Sequence, residues 1–393
     1  MVSTAQHLSD LAVELAKRGH SVTVIASDRG YDNPKMRFPR REIWQGITII
    51  RISTLALGKE TKWRRSLTFG SFLLNCALRL LLLPRFDKVV ALTSPPLISL
   101  LGALFVQAKG GRFFFWVMDL NPDEAIAAGW LKERSLVARI LRRLLNYSMR
   151  HAHRVIVLDR FMSRRILAKG IPEQRITVLP PWAHDNSISF DEEGREVFRA
   201  QHQLAQRFVV MYSGNHSPCH PLDTLLEAAR QLSNRSDIAF CFVGGGSEQI
   251  KVKAFAERHQ LKTITCLPYQ PLKKLSGSLS AADLHTVVMG EAFTGIVHPC
   301  KVYNILAIGA PFLYIGPQES HITEIASQST NGLGFYAARH GEVDQVVAHI
   351  TDAASKASFR SPGSLDLAGK FARDQLLPRM IKLLEQDEPS EQN

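Results

Sequence analysis

The run Gly290–Pro311, GEAFTGIVHPCKVYNILAIGAP, decides how the chain reads. It opens where the apolar segment Leu284–Met289 ends and passes through a loop carrying Glu291, Gly295, His298 and Lys301. Val302, Ile305, Leu306 and Ile308 then recur at helical spacing, and Gly309-Ala310-Pro311 stops the helix. α/β proteins build anion pockets from a strand, a polar loop and a helix N-terminus, because the first N–H groups of a helix have no partner inside it. Lys301 adds a positive charge beside those donors, and Glu291 can accept hydrogen bonds from hydroxyls. A carboxylate at one end and a cation with a helix end at the other suit a sugar joined to a phosphate. The same residues also read as an ordinary strand–loop–helix unit with a solvated lysine, so the rest of the chain has to decide.

A chain of 393 residues can form two domains with real cores, and an apolar share of 45% excludes a disordered or fibrous protein. Lys and Arg outnumber Asp and Glu, 48 to 36, for a formal charge of +12. That excess points to acidic partners: phosphates, nucleic acid or an anionic membrane surface. The five cysteines (Cys76, Cys219, Cys241, Cys266, Cys300) form no CxxC pair and read as reduced thiols of a cytoplasmic protein, with no zinc site. The N-terminus shows no basic segment leading into the apolar run of a signal peptide.

Residues 4–18 form an amphipathic helix closed by Gly19, and 21–27 (SVTVIAS) a buried strand. An α/β domain of this type opens with a strand and a glycine-rich turn before that helix. Neither is found, so the sheet is expected to be incomplete or completed in another way. Ile47–Ile52 reads as a strand, followed by a basic, aromatic patch (Lys59, Lys62, Trp63, Arg64, Arg65) and the very apolar run 67–84. Arg79 inside that run argues against a membrane-spanning helix. Two readings stay open for it, a helix in the membrane interface and a buried helix covering the sheet. Strands follow at Lys88–Leu92 and Phe113–Met118, the second ending in Asp119, Asp123 and Glu124. Those carboxylates occupy the sheet edge where α/β proteins bind ligands, and one could deprotonate an acceptor hydroxyl; helix capping by Asn121, Asp123 and Glu124 is the competing reading.

An Arg-rich helix at 134–151 and strands at 154–158 and 176–182 lead into a polar, weakly structured segment, 183–206. The domain boundary is placed there. The second half repeats the theme, with strands at 208–212, 239–243, 263–267, 284–289 and 312–315. Its closing helix 365–385 is expected to be kinked or interrupted at Pro378. Gly244-Gly245-Gly246 is not a nucleotide fingerprint, and no GxGxxG or P-loop is present.

Taken together, LAVELAKRGHSVTVIAS, VLDRFMSRRILAKGIPEQRITVLPPW, YSGNHSPCHPLDTLLEAA, FVGGGSEQ, SAADLHTVVM and PCKVYNILAIGAP resemble the retaining nucleotide-sugar glycosyltransferases of family 4. The closest likeness is to the bacterial exopolysaccharide and O-antigen subgroup of colanic-acid type. The resemblance implies a GT-B fold, two Rossmann-like domains facing across a cleft: 1–186 on the acceptor side, 187–364 for the donor, and 365–393 as a C-terminal helix returning to the first domain. It implies that the family's sugar-holding Glu is Glu291 and that its ribose-binding Glu falls on Asn304. The Arg and Lys that clamp the donor diphosphate fall on Asn215 and His220, so both expected cations are missing. Lys301, in a P-x-K pattern, is the replacement, with His298 or His220 helping if protonated.

The expected donor site is thus Gly214, Asn215, His220, Gly244, Glu291, Gly295, His298, Lys301 and Asn304. Glu291 and Asp119 are the catalytic candidates, and Asp123 and Glu124 lie on the acceptor side. No metal or cofactor is expected. The donor is a UDP- or GDP-linked sugar, and the acceptor a polyprenyl-diphosphate-linked saccharide at an anionic membrane surface, on the cytoplasmic face of the plasma membrane. Competing readings are a sugar-nucleotide epimerase on the same fold, a non-catalytic partner of a polysaccharide assembly complex and, weakest, a nucleic-acid binder without any recognisable motif.

Overall fold

The computed structural model describes residues 3–30, 36–55, 62–183, 188–329, 332–356 and 360–386. Two compact units result: Met1–Pro180 with Leu377–Asn393, and Pro181–Leu376. The division falls several residues before the expected 186/187 boundary and a turn of helix or more after the expected 364/365 boundary.

The first unit runs α1 (Ser3–Lys17), β1 (Thr23–Ser27), β2 (Arg41–Trp44), β3 (Ile47–Ile52), α2 (Lys62–Leu81), β4 (Lys88–Ala91), α3 (Ile98–Lys109), β5 (Arg112–Trp116), α4 (Asp123–Ala127), α5 (Leu136–His151), β6 (Arg154–Val157), α6 (Arg160–Leu167) and β7 (Ile176–Val178). Its strands form two separate sheets, β1-β3-β2 and the all-parallel β4-β5-β6-β7. The incomplete sheet expected from the sequence therefore takes the form of a split. Among the described residues β1 pairs only with β3, and β4 only with β5. One apolar cluster bridges the split, uniting Ile25 and Ile50 of the first sheet with Val89 of the second through Leu83 and Phe105. The fully buried His7 of α1 also meets the Trp116 ring of β5 edge-on, 6.3 Å between centroids. β2 went unread because REIW is mostly exposed; a two-residue turn, Gln45-Gly46, with both φ positive, folds it back on β3.

The second unit holds α7 (Glu192–Gln201), β8 (Phe208–Asn215), α8 (Asp223–Gln231), β9 (Ile238–Gly245), α9 (Ser247–Arg258), β10 (Ile264–Leu267), α10 (Leu275–Ser280), β11 (Leu284–Val288), α11 (Lys301–Ala307), β12 (Phe312–Ile315), α12 (His321–Ser327), β13 (Phe335–Ala338), α13 (Val343–Ser355), α14 (Pro362–Lys370) and α15 (Arg373–Glu385), the last of which ends in the first unit. One parallel six-stranded sheet carries it, in the order β10-β9-β8-β11-β12-β13. Both faces are covered. Val210, Tyr212, Phe240 and Phe242 pack with α8 and α13 on one side, while Val209, Met211, Ala239 and Cys241 pack with Phe198 of α7 on the other. That double burial is why β8 and β9 read as unbroken apolar runs.

Two expectations fail here. Residues 192–201 of the supposedly unstructured segment are α7, N-capped by Asp191 (Gly194 N–H donates to Oδ1, 2.9 Å). Arg195 and Arg199 of that helix are tied to Asp283 at 2.6 and 3.1 Å, a partner more than eighty residues away that makes a charged segment fold. The C-terminal helix breaks at Phe371-Ala372 and not at Pro378, which sits inside α15. Lys59 of the basic patch and the tail from 387 lie outside the described residues, as do the side chains of Lys62, Trp63 and Arg65. Among the described residues, no helix is long and apolar enough to cross a membrane.

Candidate functional site

In the second unit the chain builds outward from β8 to β9 and β10, then returns to lay β11, β12 and β13 on the other side. The order reverses between β8 and β11. At such a point the loops leaving the two strands diverge and open a crevice at the carboxyl edge of the sheet. Gly214, Asn215 and His220 lie on the β8 side of it, and Glu291, Gly295, His298 and Lys301 on the β11 side.

The two loops touch. Gly290 N–H donates to the Cys219 carbonyl (2.9 Å), and the His220 ring is hydrogen-bonded through Nδ1 to the Val288 carbonyl (2.7 Å). Lys301, the first residue of α11, reaches across to the end of β8. Its Nζ stands 3.5 Å from the centroid of the Tyr212 ring, and a Cβ on Gly214 would come within 3.4 Å of it. Nζ is buried and has no hydrogen-bond partner among the described residues. Burial alone drives the lysine well below its ordinary value. Asn304 follows one turn later on the same helix, partly exposed. Glu291 is exposed at the mouth, in the short 3₁₀ turn that follows Gly290.

Glycine is obligatory where the β8 and β9 loops meet. Gly244 has φ 137°, and a Cβ there would lie 2.0 Å from the Gly214 carbonyl oxygen. Gly244→Ala is therefore expected to destabilise the unit by about 1–3 kcal/mol, read by thermal unfolding.

His220 does not supply the second cation. With Nδ1 donating to Val288 and Lys301 nearby, burial pushes His220 down to about 3, so it stands neutral and presents Nε2 as an acceptor. His298 is bonded through Nε2 to the Tyr303 hydroxyl (2.7 Å) and stacked 3.8 Å on His321 inside the unit. Sequence reasoning missed Tyr212 and His216. The Tyr212 ring carries Lys301, and its hydroxyl donates to the Asn215 carbonyl (2.8 Å). His216 is fully buried against Tyr212, its Nδ1 bonded to the Gly214 carbonyl (3.0 Å) and its Nε2 unpartnered; burial, then Lys301, push it down to about 4. The aromatic in the apolar run of β8 was the available signal.

In the first unit, Asp119 lies just past β5 with its N–H on the Thr93 hydroxyl (3.3 Å). It has no ion-pair partner among the described residues, and burial, helped by Glu124, pushes its carboxyl up to about 7. Asp123 is tied up by Lys169 at 3.0 Å, and Glu124 accepts from the Asn121 side chain (3.0 Å). The N-cap of α4 is Pro122, so Asn121 does not cap it.

Two α/β units, the second with ligand-type loops at its sheet's carboxyl edge, make a GT-B architecture. Residues 4–182 match the family described as "Glycosyl transferase 4-like domain". The chain is 26% identical over 251 residues to WbjE of Pseudomonas aeruginosa, assigned as a glycosyltransferase, an alignment covering 64% of this chain and 62% of WbjE. It is 23% identical to WcaI of Escherichia coli (strain K12), assigned to glycosyl transfer in colanic acid biosynthesis, across 79% and 78% of the two chains. The structure of HepE from Anabaena in complex with UDP-glucose superposes with a TM-score of 0.68 at 14% identity, covering 96% of this chain and 94% of that one. The likeness to that domain family thus covers residues 4–182, and the fold shared with HepE extends over both units.

Proposed function

We propose that the protein transfers a sugar from a nucleoside-diphosphate donor to a lipid-linked saccharide in the synthesis of cell-surface polysaccharide, with retention at the anomeric carbon and without a metal ion. The observation that carries this reading is the buried Lys301 Nζ, held on the Tyr212 ring beside Gly214 with no hydrogen-bond partner among the described residues. A buried cationic nitrogen without an anion is costly, and the crevice between β8 and β11 is where an α/β sheet receives phosphates. HepE, which shares the fold, binds UDP-glucose, and WcaI is assigned to colanic acid synthesis; both support the substrate class.

In this reading Lys301 and the backbone donors at the start of α11 meet the charge that develops on the departing diphosphate. Glu291 at the mouth orients the sugar hydroxyls, and Asn304 accepts from the ribose. Asp119, near neutrality, takes the proton from the acceptor hydroxyl. The partners are a UDP- or GDP-linked sugar, a polyprenyl-diphosphate-linked acceptor and the inner face of the plasma membrane.

The experiment is a panel of nucleotide sugars offered with and without a polyprenyl-diphosphate saccharide, products weighed by mass spectrometry, in buffer with and without EDTA. Acceptor-dependent product, unaffected by EDTA, is expected. A product isobaric with the donor and formed without acceptor would instead make the protein an epimerase. No binding of any donor in calorimetry would remove the enzyme reading altogether.

A further inference from the structure

Three helices of the first unit lie side by side. Lys109 of α3 donates to the Leu81 carbonyl at the end of α2 (3.2 Å), and Tyr147 of α5 donates to Gln107 of α3 (2.6 Å). None of the three contains an Asp or Glu, although all three carry Lys or Arg. The face they present is also apolar. On α2, Leu67, Leu74, Leu78 and Leu81 repeat at spacings of seven, four and three, so they form one stripe, and they are 49–68% exposed. Leu104 of α3 is 44% exposed between them and α5. At the N-terminus of α5, Leu136, Val137 and Ile140 are 45–64% exposed, next to a half-exposed Trp130 and the exposed Arg134, Arg139 and Arg143.

Exposed leucines this numerous, in one stripe on helices without carboxylates, are unusual on a surface that meets only water; the one carboxylate beside α5, Glu133, is paired with Arg142 at 3.1 Å. Guanidinium groups beside exposed apolar side chains match a bilayer interface, where phosphates lie a few ångströms above the first methylenes. A protein partner would be met as well by mixed charge; the one-sided charge fits an anionic sheet.

We infer that the α2–α3–α5 face docks the protein on an anionic lipid bilayer, with Leu74 and Leu78 of α2 and Leu136 and Ile140 of α5 entering the headgroup boundary and Arg139 and Arg143 on the lipid phosphates. The inference builds on the membrane-bound acceptor of the proposed function and goes beyond the run 67–84, since most of the described cations come from α5.

The test is cosedimentation of the full chain with phosphatidylcholine vesicles and with vesicles containing 30% phosphatidylglycerol, alongside UDP-sugar calorimetry on the same preparations. Wild type is expected to sediment with the anionic vesicles only, and less in high salt. Leu74→Glu with Leu78→Glu, and separately Leu136→Glu with Ile140→Glu, should each weaken vesicle binding at least about tenfold with donor affinity unchanged. Arg139→Gln with Arg143→Gln should abolish the preference for the anionic lipid. No vesicle binding by wild type, or binding by all three variants equal to wild type, overturns the inference, as does a stable dimer in light scattering that dissociates on the leucine substitutions without any vesicle binding. Donor binding without vesicle binding fells this inference alone, and vesicle binding without donor binding fells the catalytic reading alone.

Discussion

Replacing Lys301 with methionine is expected to lower sugar transfer by at least about a hundredfold while making the folded protein more stable at neutral pH. Both effects come from one geometry. The Nζ is buried, sits on the Tyr212 ring and has no hydrogen-bond partner among the described residues. A buried donor left unsatisfied costs on the order of 1–3 kcal/mol, and methionine fills the same space without it. The sign with pH follows from the depressed lysine. In the unfolded chain it is protonated up to its ordinary range, whereas in the folded chain burial removes the proton early, so the unfolded state binds more protons. Wild-type stability should therefore climb with pH, and the advantage of the methionine variant should shrink as the ordinary lysine range is approached. A diphosphate bound at Nζ restores the charge, so donor binding should take up protons. Calorimetry in two buffers of different ionisation enthalpy reads that directly. Buffer-independent heats, or a methionine variant with wild-type turnover, would refute the assignment.

Asp119→Asn is expected to lower transfer by about 10²- to 10⁴-fold and at the same time to raise the Tm at pH 8. The carboxyl is pushed up to about 7 by burial and by Glu124. An Asp raised in the folded state costs nothing while protonated and loses stability as pH climbs from its ordinary acidic value through about 7. Asparagine keeps the shape and removes that loss, so the Tm difference should grow between about pH 4 and pH 7, be full above pH 7 and vanish below pH 4. The wild-type rate should rise through about pH 7 as the base becomes free. A flat rate profile across that range would take the proton-accepting role away from Asp119. Asp123 cannot substitute for it, being held by Lys169.

What the sequence revealed, and what it hid, divides along the range of the interactions concerned. The strands of the second unit were legible because a parallel sheet buried on both faces writes itself as continuous apolar runs, as in Phe208–Tyr212 and Leu284–Met289. The loop-to-helix passage at Lys301 was legible from the helical spacing of Val302, Ile305, Leu306 and Ile308. Segments whose order depends on distant partners were not. α7 looks like solvated loop until Asp283 is beside Arg195 and Arg199. The short α6, α12 and β13 span too few residues for a period to show. At the site, the residue types could be chosen from the loops, but their meeting depends on β8 and β11 being neighbours, which is a property of strand order. Burial was equally hidden: His220 reads as a spare cation, yet it is a neutral acceptor held by Val288, and Tyr212 reads as core but is the floor under Lys301.

The division of the first unit's strands into two groups has a bearing on how evenly the molecule resists opening. Among the described residues β1 and β4 are each paired on one side only, and all five residues of β1 are only partly covered. The second unit has no such seam, its central strands being bonded on both sides. At that seam Ile25 and Val89 are held together by side-chain packing, and among the described residues no backbone ladder joins β1 to β4, so amide exchange is expected to be faster in β1 than in β8.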